Sequence, residues 1–144
     1  MKQLATLALL ATTVICTSSS TVQAQTPEDF ATECAQLVDS AVSRVNKSLG
    51  DDTNRCIAAI RKHKANGEIA EARVVARRCI DRINNTTRAG DAYVREVCGR
   101  CVATLLDLGE FRLAARVRSL CADSLAEIEQ SGERARNAVL NALN

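Results

Sequence analysis

Four of the chain's seven cysteines are laid out twice at one spacing, and this constrains the fold more than any other feature. Shifting the sequence by 42 residues against itself, without a gap, brings Cys56 onto Cys98 and Cys79 onto Cys121. The same shift aligns Gly67-Glu68 with Gly109-Glu110, Ile69 with Phe111, Ala72 with Ala114, Val75 with Val117, Asp81 with Asp123 and Ile83 with Leu125. The shared pattern has the form of one helical hairpin per copy with Gly-Glu at its turn, which predicts two copies of a 42-residue repeat, over about 51–86 and 91–130.

Residues equidistant from the turn of an antiparallel hairpin lie side by side. Cys56 and Cys79 are centred on 67.5, and Cys98 and Cys121 on 109.5, beside the two Gly-Glu pairs. The spacing therefore predicts disulfides Cys56–Cys79 and Cys98–Cys121, each closing a loop of about 23 residues and worth about 3 kcal/mol of chain entropy. That leaves Cys34 for Cys101, a bond that ties the first helix across the molecule and requires a closed bundle. Sequential pairing (Cys34 with Cys56, Cys79 with Cys98, Cys101 with Cys121) is the alternative.

The seventh cysteine, Cys16, falls in a leader. Lys2 supplies a positive start, Leu4 to Cys16 an uncharged apolar run, and Val22-Gln23-Ala24 a cleavage site, so residues 1–24 read as a signal peptide. Ile15 is bulky where lipidation sites take a small residue, which argues against lipid on Cys16. Residues 25–144 then form a single helical domain with an even six cysteines, the usage of a secreted or periplasmic protein. Only two Phe and one Tyr are available for its core, so Ala, Val, Leu and Ile must fill it, and cross-links compensate for the missing ring volume. No apolar run reaches the roughly 18 residues that a membrane span needs.

With one proline and helix-spaced apolar residues, the composition is that of an all-α domain. Thr26-Pro27-Glu28-Asp29 is a helix start: Thr26 caps, Pro27 suits the first position, and the two acids favour the positive end. Phe30, Cys34, Leu37, Ala41 and Val45 share one face of the helix that follows. Gly50, Gly67, Gly90, Gly109 and Gly132 are read as breaks, which predicts further helices over about 52–65, 68–85, 91–107, 110–130 and 133–143. The expected architecture is a compact five- to six-helix bundle or short solenoid of disulfide-stapled hairpins.

The turns 66–72 (Asn66-Gly67-Glu68-Ile69-Ala70-Glu71-Ala72) and 108–114 (Leu108-Gly109-Glu110-Phe111-Arg112-Leu113-Ala114) resemble the inter-helix turn of tetratricopeptide repeats. The period here is 42 residues against that family's 34, and its proline and large first-helix residues have no counterpart. The resemblance implies a helical-hairpin scaffold that binds peptides or proteins.

Cys98-Gly99-Arg100-Cys101 is the one motif that suggests chemistry. A Cys-x-x-Cys beside Arg95 and Arg100 favours a thiolate, yet no strand precedes it and the repeat already accounts for Cys98. Two structural half-cystines, with Gly99 admitting a close helix contact, is the simpler reading. A second Cys-x-x-Cys or a histidine pair for zinc is missing. The single histidine, His63, lies in the charge run Arg61-Lys62-His63-Lys64 and reads as part of a solvated face, while Asp51-Asp52 reads as a helix cap. No catalytic constellation, metal site or cofactor motif stands out.

Charge is uneven although the net is only +2. Residues 55–100 carry eleven basic and five acidic groups, against two and six over 25–54. Arg73 and Arg77 form one ridge and Arg78 and Arg82 another, flanking the stripe Ile69, Ala72, Ala76, Cys79, Ile83, and these four arginines are the candidate contact for an acidic partner. Their alternative use is pairing with Glu71, Asp81 or the acidic first helix. Specific nucleic-acid recognition is disfavoured, because Phe30 and Phe111 read as core and leave only Tyr93 to stack. Asn46-Lys47-Ser48, Asn84-Asn85-Thr86 and Asn85-Thr86-Thr87 are glycosylation sequons near expected helix ends. The expected function is an exported, non-enzymatic interaction or effector module that binds another protein or an acidic macromolecule. The alternative is a thiol-active envelope protein using Cys98 and Cys101.

Overall fold

A computed structural model describes residues 26–144; the expected leader, its cleavage site and Cys16 lie outside them. The chain folds into three helices, α1 (Pro27–Ala65), α2 (Ile69–Asp107) and α3 (Phe111–Leu143), in place of the five or six expected. Each packs on both others, so the bundle is closed. Their first residues stand 42 apart, so that the 42-residue offset spans a helix and its turn rather than the hairpin expected.

Of the five glycines read as breaks, two end helices. Gly67 and Gly109 both have φ of 77°, a left-handed conformation that glycine adopts without Cβ strain. Around each, the same pair of bonds closes the helix end: Glu68 N–H donates to His63 C=O at 2.9 Å and Gly67 N–H to Lys64 C=O at 3.0 Å. Glu110 N–H to Leu105 C=O at 2.8 Å and Gly109 N–H to Leu106 C=O at 2.9 Å repeat the arrangement. At the start of α1, Thr26 and Asp29 form a reciprocal capping box.

The other three glycines lie inside helices, and the breaks expected there do not occur. A Cβ on Gly90 would stand 2.5 Å from Val45 of α1, and one on Gly132 would stand 2.5 Å from Thr87 of α2. Both are points of close helix approach. The buried positions explain why the helices continue: Val38 and Val42 of α1 recur eleven residues on as Leu49 and Thr53, and Leu49 recurs in turn as Ile60. Eleven residues make just over three turns of an α-helix, so this spacing keeps one face buried over the full length. A glycine costs about 1 kcal/mol in a helix interior, less than the burial its helix would forfeit by breaking.

That face differs from the expected one in detail. Val38 and Val42 are buried on α1 while Leu37 is 44% exposed, and on α2 Ile69 is 44% exposed. Phe111, expected in the core, is 70% exposed because it occupies the first turn of α3, outside the last buried layer at Leu105 and Ala114. The core is aliphatic, with Leu49, Ile60, Ile83, Leu105 and Ile128 its largest fully buried side chains.

Candidate binding cleft

Cys56 is bonded to Cys79, Cys98 to Cys121 and Cys34 to Cys101, with Cα–Cα separations of 6.0 to 6.1 Å. Cys34 and Cys101 are centred on 67.5, as are Cys56 and Cys79. The third bond is thus a second rung of the α1–α2 hairpin, made possible because both helices run through their internal glycines. The sequential scheme does not occur. Each sulfur of Cys98-Gly99-Arg100-Cys101 is bonded to a different helix, so the motif is not a dithiol pair. Gly99 has open space within 4 Å of its Cβ position and admits no close helix contact, contrary to the packing role expected of it.

At the Cys56–Cys79 rung, α1 and α2 border a cleft of about 270 Å³ lined by the two half-cystines with Arg55, Ala59, Val75, Arg78 and Arg82. Three guanidinium groups border it. Beneath them, Asp52 is 7% exposed inside α1 rather than capping a helix. Its Oδ1 accepts from Arg55 at 3.2 Å and stands 3.7 Å from an Arg82 nitrogen, an ion pair that crosses from α1 to α2. One carboxylate therefore orients two arginines whose side chains remain 73% and 60% exposed, leaving the cleft net positive.

The four arginines singled out in the sequence do not form one surface. Arg78 and Arg82 enter the cleft. Arg73 and Arg77 lie eleven and seven residues before Asn84, hence on the face of α2 from which Asn84 accepts a hydrogen bond from Arg136 of α3 at 3.1 Å. Pairing with the acidic first helix holds for Arg82 alone; among the described residues no carboxylate lies within ion-pair distance of Arg73, Arg77 or Arg78. Arg55 was missed. It mirrors position 80 about the turn centre at 67.5, between Arg78 and Arg82, so the rule that pairs the cysteines also places it opposite them.

No protein-family model, curated protein or solved structure matches this chain.

His63 is half-buried at the α1–α2 turn, with Nδ1 2.6 Å from Glu68 Oε2, rather than on an open charged face. The sequons sit in helix interiors instead of near helix ends: Asn46 donates to Glu127 of α3 at 2.7 Å, Asn84 accepts from Arg136, and Asn85 accepts from Arg88. Among the described residues no group of three or more His, Cys, Asp or Glu could hold a metal ion, and no helix is long and apolar enough to cross a membrane. Three intramolecular disulfides fit an oxidising, extracytoplasmic environment.

Proposed function

We propose that this chain is an exported, non-enzymatic helical module, secreted or periplasmic, that binds another protein or an acidic macromolecule through the cleft between α1 and α2. The observation that carries this reading is the convergence of Arg55, Arg78 and Arg82 on one cleft between stapled helices, with Asp52 holding two of them in place. Fixed, exposed guanidinium groups suit recognition of carboxylate or other anionic oxygens, because less side-chain freedom is lost on contact. We read the 42-residue spacing of helix and turn as an internal repeat, and the resemblance of its turns to tetratricopeptide turns supports a scaffold that presents grooves.

The test is salt-dependent capture of the mature, disulfide-bonded protein on poly-glutamate and on heparin. Arg55→Gln with Arg78→Gln leaves the Asp52–Arg82 pair intact and should elute at lower salt with unchanged helix content. Arg73→Gln with Arg77→Gln should elute close to the parent. Equal elution of the two variants would sink the assignment of the cleft.

A further inference from the structure

The basic cleft lies on the same α1–α2 face as two further clefts, whose lining positions follow its own at steps of eleven residues along both helices. Descending the α1–α2 face, a cleft of about 410 Å³ is lined by Ala41, Val45, Ala89, Gly90 and Tyr93, with Arg44 at its edge. Below it a cleft of about 340 Å³ takes in Phe30, Leu37, Val97 and again Tyr93, so the two share a wall. Leu37 is 44% and Tyr93 41% exposed, on facing helices. The lower cleft carries Glu33 and Arg100 together and so has no excess of either charge, whereas the upper one sets three arginines against Asp52. From Leu37 to Arg55 the groove runs about 27 Å at 1.5 Å per residue.

We propose that this groove takes an amphipathic helix of another protein, lying along α1 and α2 as a fourth helix, with apolar residues on Leu37 and Tyr93 and carboxylates at one end in the Arg55–Arg78–Arg82 cleft. The inference deepens the acidic-partner reading above and rests on it. Three observations select this occupant. The floor at Ala41, Ala89 and Gly90 is small, which lets a helical ridge approach closely between two helices. The excess of charge is greatest at one end, with three arginines there against Arg44 alone in the middle cleft and a balanced Glu33 and Arg100 in the lower one, so a uniformly charged polyanion would be matched over only part of its length, while a ligand with an apolar stripe and an acidic end matches both halves. The groove also offers one exposed ring, too few for a stacked nucleic-acid strand. Anchors at helical spacing in an apolar groove are the recognition mode that remains.

The probe is a synthetic peptide of about 25 residues with leucines at i, i+3, i+4 and i+7 and three glutamates at one end, made in both sequence directions. Control peptides replace the leucines by serine or the glutamates by glutamine. Binding to the mature, oxidised protein is read by fluorescence anisotropy, and peptide helicity by circular dichroism. One direction of the parent peptide should bind with micromolar affinity and gain helicity, and both controls should bind at least about tenfold more weakly. Leu37→Ser with Tyr93→Ser should weaken the parent peptide by about tenfold without altering its salt dependence, while Arg55→Gln with Arg78→Gln should weaken it and flatten that dependence. If the serine control binds as tightly as the parent, or the Leu37 and Tyr93 changes have no effect while the arginine changes do, the helix inference falls and the acidic-partner reading stands. If only the Leu37 and Tyr93 changes matter, the acidic reading falls. Failure of both peptide directions to bind at about 100 μM, with heparin captured through the arginines, overturns the helix in favour of a polyanion.

Discussion

Alanine at Gly90 and alanine at Gly50 add the same methyl group to a helix interior, and the structure predicts opposite signs. The intrinsic gain of alanine over glycine is about 1 kcal/mol at either site. At Gly50, as at Gly99, nothing lies within 4 Å of the added carbon, so most of that gain should appear as stability. At Gly90 the carbon would meet Val45 Cγ2 at 2.5 Å and Cγ1 at 3.2 Å, where carbon contacts settle at about 3.5–4.0 Å. Val45 is β-branched and has one favoured rotamer in a helix, so it cannot swing aside cheaply. The helices must separate instead, yet the bonds Cys34–Cys101 and Cys56–Cys79 pin them eleven residues away on either side. Overpacking of this kind costs about 1–3 kcal/mol, so after the propensity gain Gly90→Ala should be less stable than Gly50→Ala by about 1–3 kcal/mol. Guanidinium titrations of the oxidised proteins at equal m-value give the difference directly. Val45→Ala in the Gly90→Ala background should recover part of the loss, the coupling expected of residues in contact. A Gly90→Ala protein as stable as Gly50→Ala, with no coupling to Val45, would refute the close approach on which the register of α1 and α2 depends.

Replacing Cys34 and Cys101 together by serine should cost about 3–4 kcal/mol from the chain entropy restored to the unfolded state, and leave Cys56–Cys79 and Cys98–Cys121 to form as before. Guanidinium titration and unreduced peptide mapping check both halves, and scrambled linkages would contradict the independence of the rungs. Asp29 is held below its ordinary pKa, chiefly by hydrogen bonding from the Thr26 hydroxyl and then from the Thr26 backbone. A carboxylate so lowered contributes fully above its unfolded value and loses that contribution as pH falls through the lower folded value. The protection of first-turn amides of α1, taken relative to their intrinsic exchange rates at each pH, should therefore fall below about pH 4. In Thr26→Ala, an NMR titration of Asp29 should move up toward the ordinary range, and an unmoved midpoint would rule out the capping box as the cause.

The register of the bundle was legible in the sequence further than the helix boundaries were. Two turn centres suffice for it: Cys34 with Cys101, Val45 with Gly90 and Cys56 with Cys79 are all centred on 67.5, and Thr87 with Gly132 and Cys98 with Cys121 on 109.5. Partners recur every eleven residues because eleven residues make just over three helical turns, returning each rung to nearly the same face. Gly50, Gly90 and Gly132 hid this continuity, since glycine is a weak breaker where a long buried face opposes it, whereas Gly67 and Gly109 end helices because the chain there takes up a positive φ. Phe111 misled for the opposite reason: hydrophobicity marks what can be buried, and a residue beyond the last core layer has nothing to bury it. The same mirror that pairs the cysteines carries the candidate site. Applied to charges, it sets Arg55 between Arg78 and Arg82, and applied to the exposed apolar residues it sets Leu37 opposite position 98, within a turn and a half of Tyr93. Both halves of the groove thus follow from one turn centre, and their alignment on a single face depends on α1 and α2 remaining unbroken through Gly50 and Gly90. A helix break at either glycine would rotate the apolar half away from the basic half, so the continuity that the disulfide rungs enforce is also what aligns the three clefts on one face.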